Sequence, residues 1–246
     1  MKMVAMLAAV AALLSIGANA KPGDDVLLAL SWQPAFCETQ PGKQECRTQT
    51  ADRFDALNLA LHGLWPQPRG NEYCGVSPQL KNLDKQKQWD DLPPLVLSNQ
   101  TRTELARVMP GTQSMLDRHE WIKHGTCYGA DAEIYYRKSI DLVDQASKLK
   151  FSNLLRNNVG KQIQLNDLCS ALREDFGPNF AQAIAINTRS SAQGRNAPRI
   201  LSEIWINMKD KGALNYTLDA SGLSNNGGNQ ACRKPSNAKL LIDAAG

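Results

Sequence analysis

The chain has 246 residues, enough for one full domain with a real core, and its 42% hydrophobic and 21% charged content is that of an ordinary globular protein. A net charge of +4 tolerates a polyanionic partner but is too mild for a dedicated duplex-DNA binder. Residues 1–20 read as a secretory signal: Lys2 supplies the positive start, 4–16 the apolar middle, and Ala18-Asn19-Ala20 the small residues of a cleavage site. The apolar run is too short to span a bilayer, and no cysteine follows Ala20 to take a lipid anchor. The expectation is a single domain over 21–246, periplasmic or secreted, with no membrane association.

An apolar run at 26–32 predicts a strand, and 57–62 a second one that ends in a sharp break from Gly63 to Pro66. The stretch 66–98 is rich in Pro, Gly, Asn and Lys and predicts a long surface loop with one helical turn. Helical patterns follow at 101–109, with Thr101 and Glu104 as a capping box, and then at 114–124, 132–149, 154–158 and 165–176. Past Pro178 the character changes, and 183–187, 200–208, 214–218 and 239–243 read as strands, with a Gly/Asn loop at 221–230. Strands at both ends with helices between them predict an α+β domain.

All six cysteines, Cys37, Cys46, Cys74, Cys127, Cys169 and Cys232, lie beyond the signal. An even number in an exported chain predicts three disulfides, with about fifteen pairings open. Cys37 and Cys46 are close enough to staple one loop. No pair has the Cys-x-x-Cys spacing of a zinc or thioredoxin-like site.

The chain has only three histidines, and two short segments hold all of them. One is Leu61-His62-Gly63-Leu64-Trp65-Pro66-Gln67; the other runs from His119-Glu120 through Lys123-His124 to Cys127. On a helix, Glu120 and His124 share a face and Lys123 lies beside both. The carboxylate can then hold the imidazole, and the ammonium can stabilise developing negative charge. A zinc protease motif needs histidines four apart; His119 and His124 are five apart, about 140° round the helix, and the zinc reading fails on geometry.

These two segments resemble the active-site segments of the ribonuclease T2 family in order and separation. The run 26–37, with Leu30-Ser31-Trp32-Gln33 at its centre, resembles the first strand of the family's bacterial members. The resemblance implies a disulfide-stapled α+β domain with a central, mainly antiparallel sheet packed by helices. It implies an endoribonuclease that cleaves single-stranded RNA with low base specificity, by transesterification through a 2′,3′-cyclic phosphate. His124 matches the general base and His62 the general acid. Glu120 and Lys123 match the residues that polarise the phosphate, and His119 a phosphate-binding position. Trp65 matches an aromatic that stacks on a base, and Gln67 stands where some fungal members carry a base-contacting Asp. The pairing implied is Cys37–Cys46, Cys74–Cys127 and Cys169–Cys232. No metal or cofactor is expected, RNA is the one partner, and the chain is expected to work as a monomer.

Overall fold

The computed structural model describes residues 24–190, 198–225, 227–229, 231–234 and 236–246. The expected signal at 1–20 lies outside them, as does part of the 221–230 loop.

The sheet grows from its most apolar strand. Strand β1 (Val26–Ser31) is buried along all but its last residue, which suits a strand flanked on both sides. Its neighbours are β2 (Ala60–Pro66) and β5 (Arg199–Met208), both antiparallel to it. Strand β5 also pairs antiparallel with β4 (Ile184–Arg189) and, for two residues, parallel with β6 (Lys239–Ile242). Strand β3 (Lys161–Gln164) completes the order β2-β1-β5-β6-β3. The described residues thus form an α+β fold around a mainly antiparallel six-stranded sheet.

The helices are α1 (Gln33–Thr39), α2 (Gln44–Arg47), α3 (Phe54–Leu57), α4 (Pro78–Lys85), α5 (Asn99–Val108), α6 (Leu116–Lys123), α7 (Ala132–Ala146), α8 (Lys150–Arg156) and α9 (Leu165–Phe176). Val26, Leu28 and Leu30 pair with Met208, Ile206 and Ile204, and this apolar face joins the core that α7 supplies with Tyr135, Ile140 and Val143. Tyr135 clamps α7 to β2 by donating to the Leu64 carbonyl (2.9 Å) while its oxygen accepts from the Leu64 N–H (3.3 Å). The opposite face of β1 and β5 carries Leu27, Ala29, Ser31, Glu203 and Trp205, and the candidate site is built on it. Among the described residues, no helix is long and apolar enough to cross a membrane.

Several boundaries differ from the sequence reading. The break expected from Gly63 to Pro66 is absent: β2 starts later, at Ala60, and runs through to Pro66. The predicted strand at 214–218 is a loop, because the Asp210 carboxylate takes the N–H groups of Gly212, Leu214 and Asn215 that a ladder would need. Buried Tyr216 and Leu218 mimic strand alternation there. The capping box of Thr101 and Glu104 does not form. Ser98 caps α5 by accepting from the Thr101 N–H (3.1 Å), while Glu104 pairs with Arg107. The helix expected at 114–124 is interrupted at Met115, whose φ of 59° is left-handed, so α6 begins only at Leu116. The 66–98 stretch contains more helix than one turn: Ser77 caps the two turns of α4, with Pro78 at its first position.

Three disulfides join Cys37 to Cys46, Cys74 to Cys127, and Cys169 to Cys232. The second ties the 66–77 segment to the short turn Gly125–Cys127 that follows α6, and the Tyr73 N–H donates to the Lys123 carbonyl (2.8 Å) at the end of α6.

Candidate active site

A bulge in β2 sets up the site. Along β1 and β2, Ala29 faces Gly63 while Leu30 faces Leu61, so His62 is an extra residue with no partner on β1. A regular strand would turn His62 and Trp65 to opposite faces. The extra residue brings them to one face, their rings 5.2 Å apart, while Leu61 and Leu64 both remain in the core.

Helix α6 lies over that face. Glu120 is 1% exposed and accepts a hydrogen bond from Trp65 Nε1–H at 2.7 Å. Its Oε1 lies 3.7 Å from His62 Nε2 and 3.8 Å from His119 Nε2. The expected contact between Glu120 and His124 does not form. The helix stops at Lys123, and His124 caps it with φ −114°, which swings the imidazole away from the helical line. It stacks instead on the Trp65 ring, with centroids 5.3 Å apart. Trp65 therefore links the two groups that helical spacing alone would have placed in contact. Lys123 points to the same cavity and pairs loosely with Glu72 at 3.8 Å.

The histidines differ in environment. Burial opposes charge on His62, but the hydrogen bond to Glu203 and the negative charges of Glu120 and Glu203 outweigh it, and its pKa is raised. The His62 Nδ1–H donates to Glu203 Oε1 at 2.7 Å. His124 is pushed the other way, to about 3, first by burial and then by the positive charges of Lys123, His119 and His62. Burial also raises the Glu120 carboxyl, against the pull of His62, His119, Trp65 and Lys123. The proton affinities of two imidazoles in one site are thus pushed in opposite directions. His119 is oriented by Asp84, whose buried carboxylate accepts from its Nδ1–H (2.6 Å) and from the Tyr73 hydroxyl (2.8 Å), and Trp89 stacks on its ring at 4.5 Å.

His62, Trp65, Gln67, His119, Glu120, Lys123 and His124 all line one cavity of about 320 Å³. Every residue singled out from the two motifs is therefore brought together. A second cavity, of about 300 Å³, opens on the other side of His62 and is bordered by Ser31, Phe36, Lys43, Lys87, Trp89 and Glu203. Among the described residues, no group of three or more His, Cys, Asp or Glu side chains is arranged to hold a metal ion. Sequence reasoning missed Glu203, Trp205, Asp84 and Trp89. Glu203 left a signal, the one carboxylate in a mainly apolar strand, whereas Asp84 sits in a polar helix and left none.

Gly63 shows how tightly the site is packed. A Cβ there would lie 2.0 Å from Glu120 Oε2 and 2.3 Å from Trp65 Nε1. Gly63→Ala is therefore expected to break the Trp65–Glu120 bond. It should lower stability by about 1–3 kcal/mol through overpacking and cut activity at least about tenfold by displacing Glu120. Denaturant melts and initial rates on RNA check this, and a variant with wild-type rates would show that the Glu120 position is not critical.

The model of the ribonuclease T2 family matches residues 23–218 of this chain. Ribonuclease I of Escherichia coli strain K12 is 31% identical over 220 residues, covering 80% of this chain and 79% of its own. The SF11-RNase of Nicotiana alata, associated with gametophytic self-incompatibility, shares the fold at a TM-score of 0.55 and 18% identity. That match covers 90% of this chain and 99% of the other. RNase NT, solved in complex with 5′-AMP, gives a TM-score of 0.54 at 16% identity, covering 91% of this chain and 100% of the other.

Proposed function

Because the chain belongs to the ribonuclease T2 family of RNA-cleaving enzymes, we propose that it cuts single-stranded RNA by metal-independent transesterification, with His124 as general base and His62 as general acid. One observation carries this reading: His62 and His124 border the same cavity, with Glu120, Lys123 and His119 beside them, and their environments push the two imidazoles in opposite directions.

RNA brings its own nucleophile. Neutral His124 takes the proton of the 2′-hydroxyl as the 2′-oxygen attacks phosphorus. The bond from phosphorus to the 5′-oxygen then breaks, and His62 gives its Nε2 proton to that oxygen. The products are a 2′,3′-cyclic phosphate and a free 5′-hydroxyl. Lys123 stabilises charge on the non-bridging oxygens electrostatically, and Glu120, beside both His62 and His119, helps to polarise the phosphate. His119, held by Asp84, contacts the phosphate. Because His62 serves the leaving group and borders the second cavity, the nucleoside that departs occupies that side.

Trp65 and Gln67 line the first cavity and contact the base. Trp65 has a second task, since its N–H is what holds Glu120. Aromatic contact without dedicated base-edge readout favours low base specificity. Three disulfides and the signal-like 1–20 segment support export to the periplasm or medium. One chain carries every group named here, which is consistent with action as a monomer.

The test uses an RNA oligomer and its 2′-deoxy counterpart, both with EDTA present. Cleavage of the RNA alone, leaving cyclic phosphate ends after all four bases, is expected. Cleavage of the deoxy oligomer, or loss of activity in EDTA, would sink the mechanism.

A further inference from the structure

We propose that Glu203 is a positioning residue for the reaction: its carboxylate fixes the His62 imidazole so that Nε2–H faces the leaving oxygen. This rests on the general-acid reading of His62.

The geometry is specific. His62 stands on β2 and Glu203 on β5, with β1 between them. Backbones two strands apart are separated by roughly 10 Å, so the two side chains meet only by reaching across the middle strand. They can do so because β1 presents small residues on this face, Ala29 and Ser31, the latter directly opposite Glu203. The bulge supplies the other half of the reach, since it frees His62 from the ladder register. Ser31 also adds a bond: its hydroxyl donates to Glu203 Oε1 at 3.0 Å, and Trp205 Nε1–H donates to Oε2 at 2.9 Å. With His62 Nδ1–H at 2.7 Å, three donors hold both carboxylate oxygens in place.

Charge makes the same point. Among the described residues, no Lys or Arg forms an ion pair with Glu203; its only ionic partner is His62. A carboxylate in mid-sheet with three donors is held in its charged form, and burial without a cation would be costly. The charged groups that face His62 are Glu203 from β5 and Glu120 and Lys123 from α6. Of the two carboxylates only Glu203 is within hydrogen-bond distance. Glu120, at 3.7 Å from Nε2, leaves that N–H free for substrate. A carboxylate bonded to Nδ1–H selects the tautomer and stabilises the imidazolium, which is what an acid acting through Nε2 requires.

The experiment compares wild type, Glu203→Gln, Glu203→Asp and His62→Ala on two substrates. One is a dinucleoside phosphate, whose leaving alcohol needs a proton; the other is uridine 3′-(4-nitrophenyl phosphate), whose leaving group does not. Glu203→Gln is expected to lower kcat on the dinucleotide roughly 10- to 100-fold with little change in KM. It should lower kcat on the nitrophenyl ester less than about threefold and move the alkaline limb of the pH profile to lower pH. Glu203→Asp, which keeps the charge, should recover part of the rate and of the limb. Equal losses on both substrates with an unmoved limb, or wild-type rates on both, overturn the inference while His62→Ala still spares the ester. If His62→Ala loses both substrates equally, the general-acid reading itself fails. A measurement on the wild-type protein covers a variant that does not fold. The His62 imidazole, followed by NMR, should titrate above an ordinary histidine, and titration at or below that value overturns the inference.

Discussion

Replacing His124 with Ala is expected to lower kcat on RNA by roughly 10²–10⁴-fold, and His62→Ala by a similar factor, with both variants folded. In the proposed mechanism each imidazole moves one proton in the transition state. The pH profile separates the two roles. The proposed mechanism needs His124 neutral and His62 protonated. Burial and three cationic neighbours push His124 down to about 3, while His62 is raised above its ordinary 6.5. The kcat/KM of the free enzyme should therefore rise with pH only through the region near 3. It should hold across weakly acidic pH and fall as pH climbs through the raised His62 value. A bound phosphodiester adds negative charge beside both rings, so both limbs of kcat should lie at higher pH than those of kcat/KM. His124→Ala should flatten the acid limb and His62→Ala the alkaline one. A maximum at alkaline pH, or a near-wild-type rate in either variant, would refute the assignment.

Removing the Cys74–Cys127 disulfide, as the Cys74→Ser/Cys127→Ser double variant, is expected to cost about 4 kcal/mol of stability. The cross-link closes a loop with a sequence separation of 53, and the entropy it removes from the unfolded chain grows with the logarithm of that length. The Cys37–Cys46 bridge, with a separation of 9, should cost only about 2.5 kcal/mol by the same reasoning. The longer bridge also affects activity. It pins the segment carrying Asn71 and Glu72, which line the first cavity, to the turn that follows α6. KM should therefore rise more in that variant than in the Cys37→Ser/Cys46→Ser variant. Urea unfolding and steady-state kinetics on both double variants check this, and equal effects would show that the clamp is not what holds the site together.

Much of the fold was legible where local pattern and tertiary environment agree. The run 26–32 reads as a strand because it is buried on both faces, and 132–149 as a helix because Tyr135, Ser139, Leu142 and Val143 recur on one buried side, although the helix itself ends at Ala146. The failures have physical causes. Strand β3 buries only Ile163 and shows no alternation to detect. The segment 214–218 alternates correctly, but the N–H groups of its first two residues, Leu214 and Asn215, are captured by Asp210. Thr101 looks like a helix cap, but its hydroxyl donates to Glu133 while Ser98, three residues earlier, does the capping.

The same division runs through the site. Sequence by itself determined which groups are available: three histidines confined to two segments, a glutamate and a lysine within one turn of His124, and an even set of cysteines. It also excluded the zinc motif, because spacing along a helix is a local property. Only the tertiary structure decided what each group faces. Glu120 turned out to be held by Trp65 rather than holding His124, and Asp84 proved to be the partner of His119. His62 gained a carboxylate from 141 residues away. Proton affinity follows from burial and from charges a few ångströms distant, and those distances are set by how strands and helices pack, not by neighbours along the chain.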